Sequence, residues 1–308
     1  MRRTMNKNRK FVLHRNDAGI PPGRKIEVME TESNQLESYP KVSVIIPTSD
    51  GYRNGLFPAL LKQLFEQSFQ NFEIIIIKGD SRQGRAINTG ANIARGQYLL
   101  TLDDDSRLVS KDALKKLLEV IENDKTIGMA GGLNVIPADA SSFIKRTMRE
   151  IPRRASPPVN EVIESDLAEH GLLIIRKDVF IKIGGENELI PRGLDPYLRL
   201  KFRQEGYKVV VVPGAYYSHL TPPTFIKLVK QFFRNGKQAA FCNKFYPQWV
   251  IETPGSHIKD FAERRTLLYR AGRYALNIIK NILRGRWIYI SAYIAYAIGF
   301  VWGYFIKK

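Results

Sequence analysis

Three consecutive carboxylates, Asp103, Asp104 and Asp105, close the apolar run in LLTLDDDSRL. Like charges so close repel, and burial by itself drives at least one to take up a proton. A cation among them removes the conflict. Carboxylate oxygens suit the hard ions Mg2+ and Mn2+, and Mg2+ is typically held by one or two carboxylates together with substrate phosphates. On an extended chain alternate side chains share a side, so Asp103 and Asp105 pair while Asp104 turns to another partner. The plainer alternative is a solvated acidic turn that also caps a helix starting near Ser110. Two other segments offer complementary groups, Thr48 with Asp50 and Asp80 with Arg85. Acidic, hydroxyl and basic groups together are what a nucleoside diphosphate with a bridging cation requires.

Positioning them falls to a regular series of elements. KVSVIIP (41–47), FEIIII (72–77) and QYLLTL (97–102) are apolar, β-branched runs of buried-strand type. Between them, Leu56, Leu60, Leu61, Leu64 and Phe65 recur at helical spacing, and RAINTGANIAR forms a second helix. Strands that are apolar throughout, alternating with helices, imply an α/β fold whose mostly parallel central sheet is flanked by helices. In such sheets ligands bind beyond the carboxyl ends of the strands, where the loops after Pro47, Ile77 and Leu102 meet. Further on come a helix over 111–123, a strand over 127–136 and a loop, KRTMREIPRRASPP, expected to be exposed and mobile. The strand-like HGLLIIRK and the stretch PRGLDPYLRLKFRQEGYKVVVVPGAYYSH follow, the latter as helix, glycine turn, strand and loop.

The turn TSDGYRNG matches neither G-x-G-x-x-G nor G-x-x-x-x-G-K-[ST], which weighs against dinucleotide-binding and P-loop chemistry. Taken in order, VSVIIPT, NFEIIIIKGDS and GRAINTGANIARGQYLLTLDDDSRL resemble the family 2 glycosyltransferases of the GT-A fold (Rossmann-like), over about residues 41 to 225. The resemblance implies an inverting transfer from a nucleotide-diphosphate sugar donor, with Mg2+ or Mn2+ as cofactor. It places Pro47 and Thr48 beside the nucleoside, Asp80 near the base or ribose, and Asp103 and Asp105 as a DxD metal site, with Asp104 on the nucleotide-sugar side. Arg85 helps to neutralise the diphosphate, Gly171 is the small residue near the acceptor, and His219 lies by the metal or phosphate. One departure is KGDS (78–81) where the family usually writes DDGS. Another lies in RGLDPYLR: with Arg199 as anchor, Asp195 takes the second acidic position, while Arg192 and Gly193 stand at the usual Glu-Asp pair. Asp195 is thus the candidate base. Followed by Pro196, it is also a good helix N-cap.

Of the 308 residues, 48 are Lys or Arg and 30 are Asp or Glu, a formal net charge of +18 carried mainly at the two ends. Residues 1–39 are expected to be a basic, disordered arm and linker with no apolar core of a signal peptide. Residues 40–250 form the catalytic domain, and 251–308 a basic amphipathic helix followed by an apolar segment. The amphipathic stretch, about 262–286, carries Leu267, Leu268, Ala271, Leu276, Ile279 and Leu283 among Arg and Lys, the pattern of a helix that lies on anionic lipid. Trp287 to Ile306 runs without a charge for a length that spans a bilayer, with Trp at both ends and basic flanks. The alternative is a hydrophobic helix packed on the domain. These features place the chain at the cytoplasmic face of the cell membrane, single-pass or peripheral, with a lipid-linked or polysaccharide acceptor. Basic composition also admits nucleic-acid binding, but no helix-turn-helix, zinc-finger or RNA-binding signature accompanies it. An inactive membrane-associated scaffold of the same fold is the third reading. The lone Cys242 excludes an internal disulfide.

Overall fold

The computed structural model describes residues 25–30, 39–253, 255–257 and 266–305. Among these, nine strands form one sheet: β1 (Lys25–Glu30), β2 (Val42–Thr48), β3 (Phe72–Lys78), β4 (Tyr98–Thr101), β5 (Ser106–Leu108), β6 (Ile127–Asn134), β7 (Ile163–Glu164), β8 (Leu173–Arg176) and β9 (Lys208–His219). Their order is β1-β3-β2-β4-β8-β6-β9-β5, with β7 pairing β9. Strands β2, β3, β4, β6 and β9 point one way, and β8 runs against its two neighbours. The sheet is therefore mostly parallel, flanked by helices.

Strands β2 and β3 are apolar on both faces because both are covered. Val44, Ile46, Ile74 and Ile76 pack with Leu60 and Leu64 of α1 (Leu56–Phe65) and with Leu117 and Ile121 of α3 (Ala113–Asn123). The alternate residues Ile45, Ile75 and Ile77 pack with Ala86, Ile87 and Ala91 of α2 (Gln83–Ile93). Each fully buried aliphatic side chain contributes about 1.5–3 kcal/mol, so this double layer fixes the register of the strand ends.

Two segments differ from expectation. Lys25–Glu30, within the stretch read as an arm, is a strand that pairs antiparallel with β3, Ile26 opposite Ile77 and Val28 opposite Ile75; the remainder of the arm, 1–24 and 31–38, lies outside the described residues. The supposed loop at 145–158 begins inside α4 (Ser142–Glu150). The Ser141 hydroxyl caps it by accepting from Ile144 N, and Ile144 and Met148, one turn apart, are buried.

The C-terminal part is helical: α5 (Lys177–Lys182) and α6 (Leu194–Gln204) belong to the main unit, followed by α7 (Phe225–Phe245), α8 (Leu267–Leu283) and α9 (Trp287–Phe305). Helix α9 is long and apolar enough to cross a membrane, and a third of it is buried. It lies side by side with α7 through glycines. A Cβ on Gly299 would stand 2.0 Å from Phe233 O, and one on Gly236 2.0 Å from Tyr296 O. Buried Glu150 accepts from the first N–H groups of α9, Ile288 at 3.0 Å and Tyr289 at 3.2 Å, and complements the positive end of that helix.

Candidate active site

The loop after β2 is held in a left-handed path. Asp50 Oδ1 accepts from the N–H groups of Tyr52 and Arg53 at 2.9 and 2.8 Å, and φ is positive at Gly51, Arg53, Asn54 and Gly55. That conformation costs a residue with a Cβ about 1–2 kcal/mol. It delivers the Arg53 guanidinium onto the acidic triplet, 2.6 Å from Asp105 Oδ2 and 3.4 Å from Asp104 Oδ1. Sequence reasoning passed over Arg53. Its one signal was the pair of glycines that bracket it.

The triplet does not continue its strand. It forms a turn closed by Ser106 N donating to Asp103 O at 3.0 Å, so the carboxylates are sorted by the turn rather than by strand alternation. Asp104 is buried and accepts from Thr48 Oγ1 at 2.7 Å. Asp103 and Asp105 face the other way, toward His219 at the end of β9. The antiparallel pairing of Ser106 with His219 brings that end of β9 beside the turn. His219 Nε2 lies 3.0 Å from Asp105 Oδ1 and Nδ1 3.8 Å from Asp103 Oδ2. One donor atom from each of the three residues falls within 4.8 Å of the others, a group that suits a divalent metal ion. Two carboxylates with an imidazole fit the borderline preferences of Mn2+ as well as they fit Mg2+.

Electrostatics hold this group under tension. Burial pushes Asp103 up to about 6, with His219 opposing and Asp105 reinforcing the shift. For Asp105 burial acts in the same sense, but the hydrogen bond and charge of His219 and the Arg53 guanidinium outweigh it and hold the carboxyl well below the usual range. His219, despite burial, is raised to about 9 by Asp105 and Asp103. Gln83, at the start of α2, donates to Asp103 Oδ1 at 2.8 Å.

The other candidates fall around this centre in different ways. Pro47 and Thr48 end β2 opposite Ile77 and Lys78. Asp80 and Arg85 bind one another: Arg85 Nη2 meets Asp80 Oδ1 at 2.8 Å and Nε meets Oδ2 at 3.0 Å. The Arg85 charge is therefore already matched by a carboxylate. Gly171 accepts from Ser106 Oγ at 2.8 Å, and a Cβ there would stand 2.4 Å from Tyr217 Cε2. Packing against that ring alone demands glycine.

Asp195 lies in the first turn of α6, but the cap of that helix is Gly193 at φ 90°, with no side-chain capping bond. Its carboxylate points elsewhere: Oδ1 accepts from His170 N at 2.8 Å. The His170 ring is buried between Thr101 Oγ1 at 2.9 Å and Glu186 Oε1 at 2.8 Å. Burial disfavours its charge, yet Glu186 and Asp195 raise it to about 9. Arg199 anchors the same segment by donating to Ala168 O at 2.8 Å. His170 and Glu186 were missed because a lone histidine and a lone glutamate carry no spacing signal. Arg154, in the supposed mobile loop, donates to Gln231 Oε1 at 3.1 Å, and its charge is felt at His219.

The glycosyl transferase family 2 model matches residues 45–184. A protein of Haemophilus influenzae described as an uncharacterized glycosyltransferase is 28% identical over 188 residues, 53% of this chain and 62% of that protein. The chain thus spans less than two thirds of that relative's length. The mannosyltransferase PcManGT from Pyrobaculum calidifontis, solved in complex with GDP-Man and Mn2+, is similar in fold with a TM-score of 0.52 at 16% identity, over 86% of this chain and 88% of that one. The S. aureus TarS 1-349 structure is similar at a TM-score of 0.42 and 16% identity, over 68% of this chain and 73% of that one.

Proposed function

Because residues 45–184 match the glycosyl transferase family 2 model and the fold is similar to that of a solved mannosyltransferase, we propose that the chain is a GT-A glycosyltransferase that transfers a sugar from a nucleoside-diphosphate donor to an acceptor at a membrane surface. The observation that carries this reading is the convergence of Asp103, Asp105 and His219 on one cation-sized space, with Asp195 in the same electrostatic neighbourhood. Those three residues would hold Mn2+ or Mg2+. The ion supplies charge neutralisation for the departing diphosphate. Around it, Pro47 and Thr48 line the nucleoside side, Asp104 braces Thr48, and Asp80, with Arg85 clamped to it, shapes the neighbouring loop.

In the step itself, an acceptor oxygen forms a bond to the anomeric carbon as the bond to the diphosphate oxygen breaks from the opposite face. The electron pair leaves with the nucleoside diphosphate. Where the acceptor is a hydroxyl, Asp195 takes its proton, its carboxylate held in place by the His170 N–H and its charged form favoured by the His170 ring.

The C-terminal helices support the location. Helix α8 leaves Leu268, Leu276, Ile279 and Leu283 exposed along one face, and α9 leaves Ile298, Val301 and Trp302 exposed. Beside α9, α7 exposes Lys227, Lys230, Arg234, Lys237 and Lys244. Apolar faces next to a basic stripe suit the plane of an anionic membrane, where each Lys or Arg adds about 1 kcal/mol. A pairing of α9 with a lysine-rich helix along its length fits a peripheral seat better than a lone span, on the cytoplasmic side where anionic lipid is presented.

A thermal-shift panel of UDP-, GDP- and TDP-sugars with Mn2+ tests the donor assignment, because a ligand of the native state raises stability by mass action. A Mn2+-dependent shift with one nucleotide class is the expected result. Wild-type protein with no divalent-dependent response to any of them overturns it.

A further inference from the structure

A partly open cavity of about 690 Å³ lies between the N-terminus of α6 and the three C-terminal helices. Four guanidiniums line it, Arg153, Arg192, Arg270 and Arg273, against the single carboxylate of Glu252. Glu252 is shared: Arg273 Nη1 lies 2.5 Å from Oε2 and Arg270 Nε 3.4 Å from Oε1. Arg153 is matched by Glu169. Arg192 is exposed, and its guanidinium has no ion pair among the described residues. Among the described residues, the cavity therefore holds more positive charge than the carboxylates facing it balance.

Much of the remaining wall is aromatic, with Phe232, Trp249, Tyr289, Tyr293, Tyr296 and Phe300. Val301 belongs both to the cavity lining and to the exposed apolar stripe of α9, so the aromatic wall runs out onto the face assigned above to the membrane. A soluble anion would need the arginines but not the apolar exit. A neutral lipid would need the exit but not the arginines.

We infer that this cavity is the acceptor site and that its ligand is a lipid phosphate, the phosphate held at Arg192 beside the α6 N-terminus and the hydrocarbon leaving along α9. The inference rests on the sugar-transfer reading. It also accounts for the chemistry of the RGLD stretch. A phosphate monoester is mostly dianionic at neutral pH, its second pKa being about 6, so its attacking oxygen carries no proton and a cation serves it better than a carboxylate pair. The phosphate oxygen bonds to the anomeric carbon, the bond to the donor diphosphate breaks with its electron pair, and no proton is transferred.

The test titrates the full-length protein with farnesyl phosphate, with farnesol and with inorganic phosphate, and separately with nucleotide sugar and Mn2+. Farnesyl phosphate is expected to bind at least about tenfold more tightly than either fragment, since the charge-assisted hydrogen bonds of the phosphate and the burial of the hydrocarbon act together. Arg192→Glu should weaken it at least tenfold with an unchanged melting temperature, the side chain being exposed, and Arg192→Lys should restore most of the affinity. Ala297→Trp, which fills the cavity from α9, should abolish it. Equal affinity for farnesol and farnesyl phosphate, or an Arg192→Glu protein that binds as wild type does, overturns the site. Discrimination of the lipid phosphate in a protein that binds no nucleotide sugar leaves the site standing and removes the transfer reading; the reverse pattern removes the site and leaves the transfer reading.

Discussion

Thr48 Oγ1 donates to Asp104 Oδ2 at 2.7 Å, and this one bond ties the end of β2 to the middle of the acidic triplet. Because Asp104 is committed to Thr48, its neighbours on either side are left to face His219. Thr48→Val removes the donor with little change of shape and leaves a buried carboxylate short of a partner. The expected cost is about 1–3 kcal/mol of stability, read by urea unfolding, with the Mn2+-induced thermal shift retained.

The metal group answers to its ligands individually. At a Mn2+ concentration about a hundred times Kd, wild-type protein should gain about 2.7 kcal/mol of stability. Asp105→Ala and Asp103→Ala should lose that gain and with it divalent-dependent transfer or hydrolysis of nucleotide sugar. EDTA should reproduce the loss in wild-type protein, and added Mn2+ should reverse it. A Mn2+ shift that survives in Asp105→Ala would exclude this residue as a ligand.

Asp195→Asn separates two chemistries. With a hydroxyl acceptor, loss of a general base should lower kcat by about 10² to 10⁴-fold and flatten the acidic limb of the pH profile. With a lipid phosphate acceptor the same variant should stay within about tenfold of wild type, because the nucleophile arrives ionised. Side-by-side turnover of the two acceptor types reads the difference directly.

His170 makes stability depend on pH in a definite direction. Its pKa is raised from 6.5 to about 9 by Glu186 and Asp195 against the effect of burial, so the folded protein holds a proton that the unfolded chain releases. The contribution is fully present below about pH 6.5 and is lost as pH rises through about 9, at up to about 1.4 kcal/mol per pH unit between. Urea midpoints measured across that window should fall with rising pH in wild-type protein. In His170→Asn the slope should be shallower, and the part that remains belongs to His219, which Asp105 and Asp103 raise to about 9 as well.

Membrane attachment should depend on the exposed face of α8. Leu276→Glu with Ile279→Glu places two charges in the outward stripe, and both positions are well exposed, so folding should be preserved. Co-sedimentation with vesicles rich in phosphatidylserine should drop sharply relative to wild type. Wild-type binding should itself weaken as salt is raised, since the α7 lysines act through a screened field.

Read without a structure, the chain declared most of its scaffold, because buried strands such as VSVIIPT and FEIIIIK have no use for an unbroken apolar run unless both faces are covered. It also declared the acidic triplet, whose mutual repulsion asks for a cation whatever the fold. What it left open were relationships between residues far apart in number. His219 meets Asp105 only because β9 pairs antiparallel with β5, and Asp195 is claimed by His170 rather than by its own helix end. Arg53 reaches the triplet through a left-handed loop whose path no periodicity encodes. The apolar length of α9 was plain from composition; that α7 lies along it, glycine against backbone, and that the two roof an arginine-lined cavity, was decided by packing. Local runs report burial, since that depends on each segment's own side chains. Which groups share a site depends on strand order and register, and those are set by the whole core at once.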